Sequence, residues 1–400
     1  MPSLAQKRNN AIFAKNTDMK KGWKIFWVTT LCVLVALIVA VLAIWGGEIR
    51  TLSTVESVAG NEYLYTMQYR AAYDLDDVIE KDVDTNPELL DYVISRVGKG
   101  LPIKIKSSQV ADENGEMDVF NCTSFQAAKA DGDGFWYGRN YDYYKNPTLV
   151  TFSHPKKGYA SIGVSDMSHF GYSLEKLPTK FLSRLNCLAA VYAPVDGINE
   201  KGLCTSIMAL PKQASQQDTE KHDVGTTIIM RLWLDRCATV DEALALLETV
   251  DIRHDAAVGA GYHYMVADAN GDCAIVEFDK EDGWKTMILR KDPGQNAMLV
   301  TNHLLSPKYR TDEPDIAVGN PNSKSWWRYE TAQAYLDSLS GRLTFAQAQE
   351  CLSLVHWKDL PIPGGQVEDT QYSNVYDQQN RTLALRNWND YETTHRFELK

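Results

Sequence analysis

The chain has 400 residues, which is enough for one large domain or two ordinary ones with a sizeable apolar core. Its formal net charge is -11, and no stripe rich in Lys and Arg occurs after the first 24 residues, which argues against a nucleic-acid partner. The seven cysteines are scattered, without a CxxC pair or a Cys/His cluster, so the sequence predicts neither a metal site nor a dense disulfide framework.

The first predicted element is a membrane-spanning helix at residues 25–45. The segment IFWVTTLCVLVALIVAVLAIW carries no charge and has about the 20 residues that a helix needs to cross hydrocarbon. Residues 1–24 form a basic tail that the positive-inside rule keeps in the cytoplasm, so the rest of the chain is exported. We therefore expect a single-pass signal-anchor in the cell membrane. The alternative is a cleaved signal peptide and a secreted protein.

Residues 46–121 are predicted to be an exported, mainly helical segment. The stretches VESVAGNEYLYTMQYRAAYDLDDVIEKDV and NPELLDYVISRVGKG have apolar residues at helical spacing, and Pro87 suits the first turn of a helix. A strand and a polar loop, IKIKSSQVADENGEMDVF, are then expected to lead to Cys122.

From Cys122 onwards the pattern alternates between groups of short strands and pairs of helices. Hairpins are predicted in CTSFQAAKADGDGFWYGRNYDYY, LVTFSHPKKGYASIGVS and HYMVADANGDCAIVEFD, and further strands in LCTSIMAL, AMLVTN and TQYSNVYDQQNRTLALRNW. Helices are predicted in IIMRLWLDRCA, TVDEALALLETV, SWWRYETAQAYLDSL and TFAQAQECLSLV. This alternation predicts an α+β fold of stacked sheet and helix layers.

Cys122 differs from the other cysteines because Arg139 and Asp142 follow it across the predicted hairpin. A thiol of pKa about 8.5 is mostly protonated at neutral pH, and a nearby guanidinium favours the thiolate. Strand alternation places Arg139 and Asp142 on opposite faces. A bulge or a strand end is therefore needed to bring the two side chains together.

Two kinds of base could take the proton of the Cys122 thiol. One is a histidine that is distant in sequence but close in space, with His154, His169 and His263 as candidates. The other arises if the chain is cut before Cys122, because the new α-amino group, of pKa about 7.7–8.0, lies next to its own sulfur. Asp142 could hold that amine by a charge-assisted hydrogen bond. The second alternative explains why so much chain precedes Cys122.

Five motifs in register resemble the choloylglycine hydrolases, a family of N-terminal-nucleophile (Ntn) cysteine hydrolases that includes penicillin V acylases and acid-ceramidase-like enzymes. They are GRNYD at 138–142, DGINEKGL at 196–203, HYMVADANG at 263–271, VTN at 300–302 and TQYSNVY at 370–376. The resemblance covers most of residues 122–390 and implies a four-layer αββα sandwich for a catalytic domain at residues 122–400.

The resemblance also implies a role for each of five residues. Cys122 would be the nucleophile through its sulfur, with the α-amine freed by autoproteolysis as the base. Arg139 would flank the thiolate, and Asp142 would orient the amine. Asn302 would fix the substrate or the amine, and Arg328 would match an arginine that the family carries on a helix.

One position departs from the family pattern. Where relatives carry Asn or Tyr near the end of the strand after NEKGL, this chain has Ala209, so the side-chain donor of the oxyanion hole is missing. Loss of one such donor typically costs about 10²–10³ in turnover.

The activity that the resemblance implies is hydrolysis of a linear, non-peptide carbon–nitrogen amide bond in a small N-acyl substrate. No metal or organic cofactor is implied, residues 46–121 would be the propeptide of a zymogen, and a homo-oligomer remains open. Two alternatives also remain open: an acyltransferase on the same fold, and a non-catalytic surface binding protein, which Ala209 keeps in consideration.

Overall fold

The computed structural model describes residues 4–99, 121–211, 214–255, 260–309, 321–361 and 367–399. The chain divides into two compact units, Met1–Arg50 and Thr51–Lys400. The helices are α1 Leu4–Ser53, α2 Leu75–Glu80, α3 Asn86–Gly98, α4 Ile228–Arg236, α5 Val240–Leu247, α6 Pro321–Ser338 and α7 Phe345–Leu354. Short 3₁₀ helices occur at Met167–Phe170, Phe181–Tyr192 and Lys280–Asp282.

The strands fall into two large sheets and one small one. Those before residue 200 are β1 Glu56–Val58, β2 Asn61–Tyr69, β3 Asn121–Lys129, β4 Phe135–Tyr143, β5 Thr148–Ser153, β6 Ser161–Asp166 and β7 Asp196–Asn199. The next seven are β8 Cys204–Pro211, β9 His222–Gly225, β10 Val250–Arg253, β11 Ala260–Ala267, β12 Cys273–Asp279, β13 Lys285–Arg290 and β14 Ala297–Val300. The last five are β15 Arg342–Leu343, β16 Leu360–Pro361, β17 Val367–Asp377, β18 Thr382–Asn387 and β19 Asp390–Glu398.

The first unit is the greater part of helix α1. Within α1, the stretch Trp23–Ser53 contains a window of mean hydropathy 2.9 and is long and apolar enough to cross a membrane. A signal sequence near the N-terminus meets the same criterion. The predicted apolar helix is therefore present, and both its alternatives, an anchor and a cleaved signal peptide, stay open.

The second unit contains a nine-stranded sheet with the strand order β1-β2-β5-β6-β7-β8-β11-β12-β13. Its first two strands correct the sequence-based expectation, which made residues 56–69 helical. Tyr65, Met67 and Tyr69 are buried and alternate with less buried residues, which is the period of a strand. Because β2 pairs with β5 in parallel, a distant partner satisfies its backbone, and local spacing does not reveal that partner.

Helices are confirmed in the later described part of this segment, at Leu75–Glu80 and Asn86–Gly98. Helix α3 begins at a capping box, in which the Thr85 and Glu88 side chains each accept the other's backbone N–H. Leu64, Met67 and Val93 belong to the same buried core as Cys122, so residues from Thr51 onwards pack as part of one folded unit. The predicted strand and loop at 103–120 lie outside the described residues.

The second sheet has eight strands in the order β14-β3-β4-β17-β18-β19, with β15 beside β3 and β16 beside β17. Helices α4 and α5 pack on the nine-stranded sheet, and α6 and α7 pack on the eight-stranded one. The two sheets meet where the hydroxyls of Ser124 on β3 and Ser206 on β8 are hydrogen-bonded at 2.9 Å. The predicted α+β class is confirmed, and this packing brings the ends of β3 and β8 together.

The predicted hairpins and helices after Cys122 are confirmed. In the turn between β11 and β12, Asp268 Oδ1 accepts the Asn270 N–H, and Gly271 has φ 95°, a left-handed conformation that glycine adopts without strain. Helix α5 begins with Thr239 as its N-cap. All seven cysteines lie in described residues, and each is a free thiol.

Candidate active site

Cys122 is the second residue of β3, a strand held between β14 and β4. Its side chain is fully buried, and its Sγ lies 3.6 Å from the carbonyl oxygen of Ile207 on β8. The thiol therefore lies where the two sheets meet, at an edge of β8 that β7 no longer covers.

Asn302, just after β14, holds the backbone of Cys122. Its Oδ1 accepts the Cys122 N–H at 2.6 Å, and its Nδ2 donates to the Ala209 carbonyl at 2.8 Å. The Asn302 N–H in turn donates to Ser325 Oγ at 2.7 Å. Asn302 therefore links β3 to β8. On β3 it binds the backbone nitrogen of Cys122, which would become the α-amine if the chain were cut before Cys122.

Arg328, on α6, binds the chain on both sides of the 121–122 peptide bond. Its Nη1 donates to the Cys122 carbonyl and, at 3.0 Å, to Thr123 Oγ1. Its Nη2 donates to Asn302 Oδ1 at 2.9 Å and to Asn121 Oδ1 at 3.1 Å. Arg328 is fully buried and burial lowers its pKa, a cost that these hydrogen bonds offset.

Arg139, on β4, lies on the inner face of its sheet. Its Nη1 donates to Ser124 Oγ at 3.4 Å, and its Nε lies 3.8 Å from Asp196 Oδ2, which also accepts from Tyr372 OH at 2.6 Å. Burial lowers the pKa of Arg139, but the negative charges of the Asp196 carboxylate and of Cys122 in its thiolate form outweigh burial, so that its pKa is raised. Within the described residues its Nε and Nη2 have no hydrogen-bond acceptor. The Arg139 guanidinium is therefore held near the sulfur, and its Nε and Nη2 remain available as hydrogen-bond donors.

Asp142 lies on the opposite face, at the end of β4. Its Oδ1 accepts from Thr370 Oγ1 at 2.6 Å, and its Oδ2 lies 3.8 Å from Arg328 Nη1. Burial raises the pKa of Asp142 to about 6. Its Oδ2 has no hydrogen-bond donor within the described residues. Arg139 and Asp142 are thus not brought together. Both lie on β4, beside β3, but on opposite faces of the sheet.

The thiol of Cys122 is protonated in the intact chain. Burial raises its pKa to about 12, and the charge of Asp142 acts in the same direction. Arg139 and Arg328 lower the pKa but do not overcome burial. The predicted effect of a nearby guanidinium is therefore present, but desolvation of the thiolate outweighs it.

The histidines considered as alternative bases have other surroundings. His263 is buried, with Nε2 2.7 Å from the Thr301 carbonyl and Nδ1 3.3 Å from Glu277. His169 lies 3.3 Å from Tyr141 OH, and His154 is exposed. No hydrogen bond joins any of these three histidines to Cys122 in the described part of the chain.

Sequence reasoning missed two side chains of the site. Glu368 at the start of β17 accepts from Asn121 Nδ2 at 2.6 Å, and Asp196 holds Arg139 through the contact with its Nε. Asp196 is the first residue of the DGINEKGL motif, and Glu368 lies just before TQYSNVY. Their positions in or next to these motifs were the sequence signals that could have identified them. The Ala209 methyl group cannot donate a hydrogen bond, which is the expected departure, while its backbone carbonyl is used by Asn302.

One of the comparisons with known proteins identifies a family by sequence. The family model described as acyl-coenzyme A:6-aminopenicillanic acid acyl-transferase matches residues 178–390, more than half of the chain. That range includes Asn302 and Arg328 and begins after Cys122. A search of curated proteins finds no match.

Solved structures similar to this chain include a variant of conjugated bile acid hydrolase from Clostridium perfringens, with 16% identity and a TM-score of 0.51. The alignment covers 69% of this chain and 92% of that one, and a second variant of the same enzyme aligns with a TM-score of 0.50 at 16% identity, covering 70% and 92%. Penicillin V acylase from Agrobacterium tumefaciens aligns at 17% identity over 69% of this chain and 85% of that one, with a TM-score of 0.44.

At these identities the likeness to the bile acid hydrolase is one of fold, and the family assignment comes from the sequence match. The resemblance found in the motifs is thereby confirmed. The chain belongs to the acyl-coenzyme A:6-aminopenicillanic acid acyl-transferase family, the group of the penicillin acyltransferases and choloylglycine hydrolases.

Proposed function

We propose that this protein is a cysteine Ntn amidohydrolase that cleaves a linear carbon–nitrogen amide bond in a small N-acyl substrate after autoproteolysis before Cys122. The observation that carries the proposal is the hydrogen bond from the Cys122 N–H to Asn302 Oδ1 at 2.6 Å. Arg328 supports it by binding both the Cys122 carbonyl and the Asn121 side chain. The nitrogen that must become an amine is therefore already positioned in the precursor.

Self-cleavage would begin with addition of the Cys122 sulfur to the Asn121 carbonyl carbon. The bond from that carbon to the Cys122 nitrogen then breaks, the nitrogen takes the thiol proton, and a thioester joins Asn121 to the sulfur. Water hydrolyses the thioester, which leaves Asn121 with a carboxylate and Cys122 with a free thiol and a free α-amine. The buried, protonated thiol of the intact chain fits a precursor that does not attack other acyl groups.

In turnover the α-amine takes the thiol proton as the sulfur adds to the substrate carbonyl. It then returns the proton to the leaving amine, and water hydrolyses the acyl-enzyme. Asn302 would hold the α-amine, Arg139 would stabilise the thiolate, and the free Oδ2 of Asp142 would accept from the amine through a small shift. Strand alternation turns the Ala209 N–H to the same edge of β8 as its carbonyl, so that this N–H is our candidate for the missing oxyanion donor.

The segment before Cys122 would remain bound after cleavage. Strand β2 pairs with β5 along six residues, and Tyr69 OH donates to the Leu188 carbonyl at 3.1 Å. Loss of these buried contacts would expose an edge of the nine-stranded sheet. If α1 spans the membrane with the N-terminus in the cytoplasm, the cleaved enzyme stays anchored on the extracytoplasmic side.

Names of the similar proteins support both hydrolysis and acyl transfer. The similar solved structures include a bile acid hydrolase, whereas the family model is described as an acyltransferase. An acyltransferase would use the same acyl-enzyme and an amine in place of water. It is therefore our second candidate.

The deciding experiment combines intact-mass analysis with N-terminal sequencing of the purified chain and of Cys122→Ala. We expect the wild-type chain to yield a fragment that begins at Cys122, and the variant to remain whole. An intact wild-type chain that hydrolyses N-acyl amides at full rate would exclude the α-amine mechanism. Addition of an amine acceptor during turnover distinguishes acyl transfer from hydrolysis by the product formed.

A further inference from the structure

The carboxamide of Asn121 is bound at both of its ends by buried charged groups. Its Nδ2 donates to Glu368 Oε1 at 2.6 Å, and its Oδ1 accepts from Arg328 Nη2 at 3.1 Å. Glu368 is 6% exposed and Arg328 is fully buried. We refer to Glu368 and the Nη2 group of Arg328 as the carboxamide clamp.

Glu368 lies in surroundings that do not favour a carboxylate. Burial raises the pKa of Glu368 to about 7, and the charge of Asp142 adds to this effect. The hydrogen bond from Asn121 and the charges of Arg328 and Lys324 act in the opposite direction. The hydrogen bond from Asn121 offsets part of the cost of burying this carboxyl group, and it joins the group to the residue before the proposed cleavage site.

The chemistry of self-cleavage gives the contact between Glu368 and Asn121 a role, and this argument rests on the proposed function. In the thioester intermediate, Asn121 is the acyl group on the Cys122 sulfur. Every later acyl-enzyme is a thioester on the same atom, so substituents of a substrate acyl group pass close to the place where the Asn121 side chain is held. In this mechanism Asn121 of the precursor occupies the position of the acyl group of a substrate.

We propose that the carboxamide clamp selects the acyl group of the substrate. The class selected is an N-acyl amide whose acyl part carries a primary carboxamide two carbons from the reacting carbonyl, as asparagine does. One end of the clamp accepts a hydrogen bond and the other donates one. A carboxamide satisfies both. A hydrocarbon chain of equal length leaves the buried Glu368 carboxyl without this donor and leaves Arg328 Nη2 with Asn302 Oδ1 as its remaining acceptor.

The first test uses self-cleavage, which needs no external substrate. We compare the wild-type chain with Asn121→Leu, Glu368→Ala and the double variant, following intact mass over time. Each single variant should process about tenfold more slowly or worse, and the double variant no more slowly than the slower single one, because both lose the same contact. Glu368→Gln, which keeps an acceptor oxygen, should recover part of the rate.

A matched control lies on the same strand. Asp369 is also buried, but its carboxylate accepts the Asp359 N–H at 3.0 Å and pairs with Lys145, so Asp369→Asn should process at the wild-type rate. The carboxamide clamp would be overturned if Asn121→Leu or Glu368→Ala processed at the wild-type rate. It would also be overturned if the double variant were slowed by the product of the two single effects. A wild-type chain that never processes would instead overturn the proposed function.

The second test measures selection by the mature enzyme. Processed wild type and processed Glu368→Ala are treated with two chloromethyl ketones that differ only in an asparagine-like or a leucine-like side chain. Each alkylation rate at Cys122 is divided by the rate with iodoacetamide, which corrects for thiol reactivity. The asparagine-like reagent should be about tenfold faster in wild type and equal to the other in the variant.

The two possible failures again have different signatures. An unchanged ratio in Glu368→Ala would overturn the selection of a carboxamide. A processed chain whose Cys122 does not react with iodoacetamide would overturn the nucleophile, and the proposed function with it.

Discussion

The carboxamide oxygen of Asn302 lies 2.6 Å from the backbone nitrogen of Cys122, 180 residues away in the chain. The same carboxamide donates to the Ala209 carbonyl on the facing sheet, so one side chain joins β3, which carries the sulfur, to β8 of the other sheet. Substitution of Asn302 should therefore impair the reaction more than the fold.

Asn302→Leu is expected to slow both self-cleavage and amide hydrolysis by about 10²-fold, because the nucleophile's nitrogen loses its acceptor while the branched shape of the side chain is kept. Progress by intact mass and initial rates of hydrolysis measure the two effects. Asn296→Leu is the control, since the Asn296 side chain donates to the Ser340 carbonyl at an exposed site. Equal rates in wild type and Asn302→Leu would remove Asn302 from the mechanism.

The buried carboxyl of Asp142 should make stability depend on pH. Its pKa of about 6 lies above the ordinary value near 3.9, so between those values the folded chain binds more protons than the unfolded one. The contribution of Asp142 to the free energy of unfolding therefore falls by up to about 3 kcal/mol as pH rises from about 4 to 6. In a Cys122→Ala background, Asp142→Asn should remove that fall in urea titrations.

The control for this pH dependence is Asp359→Asn. Asp359 is at the surface, where its hydrogen bond from Lys145 lowers its pKa, so the sign of its contribution is opposite. If Asp142→Asn and the unsubstituted chain lose stability equally over this pH range, the buried carboxyl is not the cause.

Gly202, in the DGINEKGL motif, is expected to tolerate no side chain. It has φ +84°, and a Cβ there would lie 2.3 Å from the backbone carbonyl oxygen of Gln378. Gly202→Ala should lower the free energy of unfolding by about 2–4 kcal/mol, from backbone strain and overpacking together. Gly283→Ala shares the positive φ but has open space around it, so it should cost only about 1 kcal/mol. Similar urea midpoints for the two variants would contradict this assignment.

Removal of residues 1–46 should release the protein from membranes without changing self-cleavage. The reason is that Thr51–Lys400 forms a compact unit, in which Thr51 Oγ1 accepts the backbone N–H groups of Arg70 and Ala71. The measurement is the fraction of protein that sediments with membranes, from cells that express either the full-length protein or the protein without residues 1–46. In the full-length protein, the fragments before and after Cys122 should sediment together until urea separates them. A truncated chain that stays with membranes would contradict the anchor.

Local patterns determined much of what was predicted correctly. The charge-free run before Trp45, the hairpin that carries Cys122 and Arg139, and the helix caps all depend on neighbouring residues, and such spacing is visible in one sequence. The motif resemblance also singled out Asn302 and Arg328, and both side chains contact the backbone of Cys122 in the structure.

The sequence by itself thus determined the apolar helix, the α+β class and the family. Only the tertiary structure decided that residues 56–69 are strands of the large sheet, because their partner β5 lies beyond Cys122 in the chain. It also decided that Glu368 meets Asn121, 247 residues earlier, and that burial keeps the thiol protonated. Pairing across long chain separations and desolvation depend on what surrounds a residue in space, and the periodicity of a single sequence does not encode those neighbours.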